Sequence, residues 1–358
     1  MGLIRLLLAI SVVIAHSSDI FGFSFVGGKL AVQTFFIVSG FYMTLILNEK
    51  YIGKNNSYKL FISNRFLRLY PIYWTVLIIT IFYGIGFSLY NGSPTGSIAP
   101  YVEYFDTLSI GSITFLIFTN LFIFLQDMVM FMGLDLKTGN LFFTSNFWET
   151  SPPLYNFLFL PQAWSIGIEI AFYILAPFLV RKKLIIIIPL ILLSVLLRVI
   201  LINYGLDYDP WSYRFFPTEL AFFLMGVLNY HMYRNLQKRI LRPLILKIVW
   251  CSIIIFILFY NFLPLPYKDI IYIITFFISL PYIFILSKNW KWDRYIGELS
   301  YPIYISHLFV LKFIIAFKIL MLGGLGLALT VCTIIFSVLL IELVSKRIED
   351  IRSRRVIP

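Results

Sequence analysis

Two residues near the start of the chain, Arg5 and His16, sit eleven positions apart inside one apolar stretch. On an α-helix, eleven steps make three turns and a small remainder, so the two side chains share a face about 16 Å apart along the axis. That face carries a cation at one end and a potential base at the other. A neutral imidazole can take a proton from a hydroxyl, and a guanidinium can hold an anion. The plainer readings are an orientation signal for Arg5 and a satisfied polar core residue for His16.

Other ionisable residues also interrupt apolar sequence. Glu169 lies in Trp164-Ser-Ile-Gly-Ile-Glu-Ile-Ala-Phe-Tyr173, two turns into its segment, at a depth that matches His16. A buried carboxylate must be paired or neutral. Beside a histidine it can orient the ring and support its protonated form; a structural ion pair is the alternative. Arg198, Arg214 and Glu219 map to the same outer half or its rim, where they suit a sugar-binding cleft or pair with one another. Arg65 and Arg68, in Asn64-Arg-Phe-Leu-Arg-Leu-Tyr-Pro71, open the third apolar segment and project to one side. Helix N-termini favour anions, so this pair suits a phosphate-bearing ligand, or plain anchoring. His307 is mid-segment in Ser300-Tyr-Pro-Ile-Tyr-Ile-Ser-His307. His231, beside Arg234, reads as structural or interfacial, and Lys312 and Lys318 as snorkelling outward. No metal-ligand spacing, Gly-rich phosphate loop or Gly-x-Ser-x-Gly elbow occurs.

The elements that must position these residues are membrane helices. Of 358 residues, 60% are hydrophobic, 19% aromatic and 13% charged, whereas soluble domains carry about 25% charge. Apolar stretches of roughly 20 residues recur, without the alternation of a β-barrel. They run Leu3–Ile20, Leu30–Leu47, from near Arg65 to Tyr90, Ile113–Met132, Ala163–Val180, Leu184–Asn203, Phe215–Tyr233, Leu244–Phe262, Ile270–Leu286, Ser300–Leu320 and Leu325–Val344. Cys251 and Cys332 fall within them and suggest no disulfide. The first stretch reads as a retained helix rather than a cleaved signal.

The net charge of +12 comes from cations flanking these stretches. Positive-inside sorting explains it, and no nucleic-acid-binding face is present. Clusters fall at Lys50, Lys54, Lys59, Arg65 and Arg68; at Arg181, Lys182 and Lys183; at Arg234, Lys238, Arg239, Arg242 and Lys247; and at Lys288, Lys291 and Arg294. A last one holds Lys346, Arg347, Arg352, Arg354 and Arg355. Placing all of them in the cytoplasm leaves the eleven stretches one too many. The fourth, inside Asn91–Pro161, is therefore expected to be re-entrant or interfacial. The fold expected is an all-α integral membrane protein with about ten transmembrane helices and both termini cytoplasmic. Irregular backbone at membrane depth needs protein or a cavity around it. The domain reading is one transmembrane domain, residues 1–345, a basic cytoplasmic tail, 346–358, and no soluble domain.

Five elements, in order along nearly the whole chain, resemble those of the acyltransferase-3 family of bacterial membrane O-acyltransferases, which includes O-antigen acetyltransferases. Arg5-(ten residues)-His16 is similar to the family's Arg/Lys-x10-His signature. Val32-Gln-Thr-Phe-Phe-Ile-Val-Ser-Gly-Phe41 resembles its Phe-Phe-x-x-Ser-Gly-Phe element, and Arg65-Phe-Leu-Arg-Leu-Tyr-Pro71 its Arg-x-x-Arg-x-Tyr-Pro element. Trp164-Ser165-x-x-x-Glu169 with Phe172-Tyr173 resembles its Trp-Ser-Leu-x-x-Glu-x-x-Phe-Tyr element. Ser300-Tyr301-Pro-Ile-Tyr304-x-x-His307 resembles its late Ser-Tyr-x-x-Tyr-x-x-His element. Many members have Glu-Glu after Trp-Ser, whereas Ile170 follows Glu169 here. Many also carry a C-terminal SGNH-type domain, and this chain resembles the stand-alone form.

The resemblance implies a cytoplasmic acyl-coenzyme A donor, acetyl-coenzyme A above all, as co-substrate without a resident cofactor. The acceptor is then a hydroxyl of an envelope polysaccharide or glycolipid outside the inner membrane. On that reading His16, Glu169 and Arg5 are catalytic, and Arg65, Arg68 and Tyr301 bind acyl-coenzyme A. Trp164, Ser165, Arg198, Arg214, Glu219 and His307 serve the acceptor or the structure. His16, kept neutral by burial, is the expected general base, with Glu169 orienting it. Direct transfer and a short-lived acyl-enzyme on His16 or a serine are both open. A transporter or flippase of a glycan-linked or small-molecule substrate also fits intramembrane charges, although no inverted repeat is visible.

Overall fold

The computed structural model describes residues 1–51, 58–319 and 323–355. Lys54, the Leu320 end of one expected segment and the last three tail residues lie outside them. The described chain is helical: α1 (Gly2–Ala15), α2 (Gly27–Glu49), α3 (Tyr58–Asn91), α4 (Ala99–Glu103) and α5 (Ile110–Phe122) come first. A hairpin of β1 (Met132–Leu134) and β2 (Leu141–Phe143) comes next, antiparallel, with Gly133 opposite Phe142. Then come α6 (Trp164–Leu179), α7 (Leu184–Asn203), α8 (Phe216–Leu236), α9 (Pro243–Phe259), α10 (Lys268–Ser287), α11 (Lys291–Ala316), α12 (Gly324–Leu340) and α13 (Lys346–Arg354).

Among the described residues, eight helices are long and apolar enough to cross a membrane: α2, α3, α6, α7, α9, α10, α11 and α12. Two more pack in the same bundle, α1 against α2 and α11, and α8 against α2 and α7. The protein is thus an all-α membrane protein. α1 is shorter than its apolar stretch. Its 14 residues reach about 21 Å, less than the bilayer core. It ends at His16 because Ser17, Ser18 and Asp19 come after it, and Phe21 and Gly22 turn the chain at positive φ. α3, by contrast, starts at Tyr58, seven residues before Arg65, since nothing in Tyr58–Asn64 breaks a helix. The expectation that Arg65 and Arg68 use a helix N-terminus is therefore corrected: they project from the interior of α3.

The cation clusters gather at one end of the bundle. Arg181 donates to the carbonyls of Leu47 and Tyr51 at 2.6 and 3.1 Å. Arg234 pairs with Glu49 at 3.6 Å, Lys288 reaches the Tyr233 hydroxyl at 3.4 Å, and Arg355 reaches Ser63 at 3.0 Å. Each contact joins a different cluster to its neighbour.

The segment after α3 is re-entrant. α5 dips inward from the opposite end and stops against the middle of α3. A helix leaves its last carbonyls without partners, and at membrane depth no water replaces them. Here the Tyr70 and Tyr73 hydroxyls donate to the carbonyls of Phe122 and Asn120, and the Trp74 indole to that of Leu121 at 2.8 Å. Ile123 and Leu125, at φ 61 and 64, then reverse the chain.

Close backbone approaches set the helices that carry the chemistry. A Cβ on Gly2 would lie 1.5 Å from the Asp293 carbonyl oxygen, and one on Gly297 would lie 2.8 Å from the Gly2 Cα. Small residues let membrane helices touch backbone to backbone, so α1 is seated directly on α11. The Asp293 carboxylate completes that junction. It accepts from the main-chain N–H of Gly2 at 2.7 Å and of Leu3 at 2.9 Å, and pairs with the Met1 ammonium at 2.6 Å. Gly40 and Gly226 bring α2 onto α8 in the same way.

Candidate active site

A cavity of about 430 Å³ opens at the cationic end and runs between α1, α2, α3, α6 and α11. Seven Lys and Arg side chains line it (Arg5, Lys50, Arg65, Arg68, Lys288, Arg294 and Arg352) against the four carboxylates of Glu169, Asp293, Glu298 and Glu349. Arg65 is buried to 7% exposure, deep for a guanidinium with no ion pair among the described residues. Tyr301 lines the same wall, and its hydroxyl is spent on the Leu69 carbonyl at 2.8 Å, which ties α11 to α3.

Further in, Arg5 donates to Ser300 Oγ at 2.8 Å, and Ser300 in turn to the Gly297 carbonyl at 2.7 Å. The Glu169 Oε1 accepts from Ser39 Oγ and from the Tyr173 hydroxyl, both at 2.5 Å. Arg5 and Glu169 are electrostatic neighbours. The expectation that Glu169 orients His16 is therefore corrected. α6 starts at Trp164 at the far end, and five residues of helix carry Glu169 about 7.5 Å deeper, into the cavity with Arg5.

The inner limit of the cavity is a hydroxyl pair. Ser165 Oγ and the Tyr304 hydroxyl lie 2.6 Å apart, and Tyr304 also donates to the Gln162 carbonyl at 2.8 Å. One turn along α11, His307 is fully buried and its ring centroid stands 4.8 Å from that of His16. His16 Nδ1 faces the Val12 carbonyl at 2.8 Å, and His307 Nδ1 the Tyr304 carbonyl at 2.7 Å. A carbonyl can only accept, so both rings carry a proton on Nδ1, and in the neutral ring Nε2 is then the lone pair. The His307 Nε2 is buried with no partner among the described residues. His16 caps α1, where the helix ends; the residue keeps an open side while its ring packs on the fully buried His307.

Beyond the histidines, Arg214 makes a paired contact with Asp209 at 2.6 and 2.9 Å and lies 4.4 Å over the Trp164 ring. Trp164 is itself buried at 5% exposure, so it is the floor under Arg214 and offers no open stacking face. Arg198 and Glu219 pair with each other at 2.6 Å; Arg198 also donates to the carbonyls of Ser212 and Thr218, and Gln33 reaches Glu219. They clamp α7 to α8 and stand apart from the histidines. The structure thus groups the expected residues into two stations: Arg5, Arg65, Arg68, Tyr301 and Glu169 at the cavity, and His16, His307 and Arg214 beyond it, with Ser165 between. Sequence reasoning assigned no role to Ser39, Tyr173, Tyr304 or Asp209. The first three stood inside the quoted motifs, and a hydroxyl in an apolar helix was their available signal.

The cavity is thus cation-mouthed, and Tyr304 on its inner wall lies one turn of α11 from the paired imidazoles. The chain belongs to the acyltransferase-3 family: the model of that family's acyltransferase domain matches residues 1–342. It is a membrane acyltransferase. No curated protein and no solved structure shows a significant match.

Proposed function

We propose that this protein moves an acyl group, acetyl above all, from acyl-coenzyme A in the cytoplasm to a hydroxyl of an envelope polysaccharide or glycolipid on the outer side of the inner membrane. The observation that supports this reading is the order of groups from the mouth inward: arginines at the mouth, Glu169 and Arg5 within and the Ser165–Tyr304 pair at the inner limit, with His307 one turn further along α11, beside His16 and outside the cavity lining. On this reading the cationic end faces the cytoplasm, as do both termini. The arginines hold the donor's phosphates, because guanidinium groups make paired charge-assisted bonds to them. The thioester reaches the Ser165–Tyr304 pair; the Tyr304 proton is held by the Gln162 carbonyl, so Ser165 turns its hydroxyl from Tyr304 to the oxyanion of a tetrahedral intermediate. His16 Nε2 takes the proton of the acceptor hydroxyl as its oxygen attacks the thioester carbonyl. Collapse of the intermediate forms the ester and expels the coenzyme A thiolate, which receives the proton held by His16. Coenzyme A is a co-substrate here, and the protein needs no resident cofactor for this sequence of steps.

The test is release or transfer of label from acetyl-coenzyme A by purified protein in nanodiscs, with and without envelope glycan extract, beside His16→Ala. Label transfer that disappears in the variant supports the reading. Folded protein that turns over no acyl-coenzyme A with any glycan supplied would overturn it.

A further inference from the structure

The C-terminal basic segment reads, from sequence, as a basic cytoplasmic tail. In the structure it folds back onto the cavity. A π-helical turn, Ile341–Ser345, interrupts the end of α12, and α13 then packs on α3, the helix of Arg65 and Arg68. Such turns re-aim the next stretch of helix and are frequent at functional sites. Arg355 pins α13 through Ser63 Oγ at 3.0 Å, and Arg352 thereby becomes part of the cavity wall. Its side chain is 16% exposed, with Nη1 on Glu349 and a buried Nε that has no hydrogen-bond partner among the described residues. The Nε of Arg65 is buried and unpartnered as well. Arg352, Arg65 and Arg68 lie within electrostatic range of one another. Three guanidinium groups drawn together, with the half-exposed Glu349 ion-paired to one of them, repel one another, and a polyanion seated among them would relieve that repulsion. The family match stops at residue 342, ahead of α13.

We propose that Arg352 is a third phosphate-binding arginine, delivered by α13 to the mouth of the cavity, so that the phosphate-bearing end of the donor is held between α3 and α13. This rests on the acyl-coenzyme A reading above and names the part of the donor concerned. Glu349 occupies Arg352 when the site is empty, and the ligand phosphate replaces it.

The test measures binding of labelled acetyl-coenzyme A to intact protein in nanodiscs of zwitterionic lipid, so that no anionic headgroup competes for the arginines. Arg352→Ala should weaken binding roughly 10–100-fold, as expected for loss of charge-assisted hydrogen bonds. Arg352→Lys should recover part of that loss, because the charge is kept and the fork is not. Glu349→Gln should tighten binding, an opposite sign that a damaged fold would not produce. Adenosine 3′,5′-bisphosphate should compete with the label on the wild type and lose potency on Arg352→Ala. Unchanged affinity in Arg352→Ala and Glu349→Gln would overturn the proposal while leaving the donor assignment intact. So would equal weakening by all three variants, or an effect seen only in anionic lipid. A wild type that binds no acetyl-coenzyme A would instead sink the donor assignment on which it rests.

Discussion

The rings of His16 and His307 stand 4.8 Å apart, and each turns its Nδ1 to a carbonyl of its own helix. That arrangement fixes the tautomer of each neutral ring and leaves both Nε2 atoms as basic nitrogens in neighbouring rings. On the proposed function His16, which keeps an open side at the end of α1, meets the acceptor, and the fully buried His307 acts through it. His16→Ala should lower kcat about 10²–10⁴-fold, the span general-base catalysis contributes, with little change in KM for acetyl-coenzyme A. His307→Ala should cost less, again in kcat. Steady-state kinetics on both variants checks this, and a His307→Ala loss larger than that of His16→Ala would reverse the assignment.

Glu169 should show the opposite kinetic pattern. It shares the cavity with Arg5 and accepts from Ser39 and Tyr173, so on the proposed function its influence falls on seating the donor. Glu169→Gln should raise KM for acetyl-coenzyme A more than it lowers kcat. Equal kcat losses in Glu169→Gln and His16→Ala, at unchanged KM, would restore the dyad that the structure separates.

The all-helical membrane class was legible in the sequence because apolar length is a one-dimensional signal. The Arg5–His16 face was legible because helical periodicity is local. Partnerships across helices were not. Depth along α6 placed Glu169 beside His16, yet its position depends on where α6 begins relative to α11, which the Ser165–Tyr304 bond fixes. Arg352 looked like any other cation after the last span, because a π-turn leaves no mark in hydropathy.

The Arg198–Glu219 pair is a structural lock. Glu219 is fully buried, and its ion-pair partner reaches it from α7. Breaking a buried pair from one side leaves a charge without compensation and costs about 3–5 kcal/mol. Arg198→Ala should therefore lower the thermal unfolding midpoint sharply. Arg198→Met with Glu219→Leu should recover much of it, because two apolar side chains remove the stranded charge. Activity in that double variant near wild type would confirm that neither residue touches the acceptor, and its loss would return them to the site.

The tip of the re-entrant helix depends on three donors from α3. Removing the Tyr73 hydroxyl strands the Asn120 carbonyl in a buried setting, and an unsatisfied buried acceptor costs about 1–3 kcal/mol. Tyr73→Phe should lower the unfolding midpoint by that equivalent, and Tyr70→Phe likewise through Phe122. The two acceptors lie two residues apart at one helix end, so the double variant should fall short of the summed losses, since freeing one carbonyl already loosens the other. Tyr58→Phe is the comparison, because the Tyr58 hydroxyl reaches the Ile174 carbonyl only at 3.4 Å in an exposed contact; it should shift the midpoint by less than about 0.5 kcal/mol. If Tyr73→Phe behaves like Tyr58→Phe, water must reach the Asn120 carbonyl, and the tip of α5 lies in an aqueous cavity rather than in packed protein.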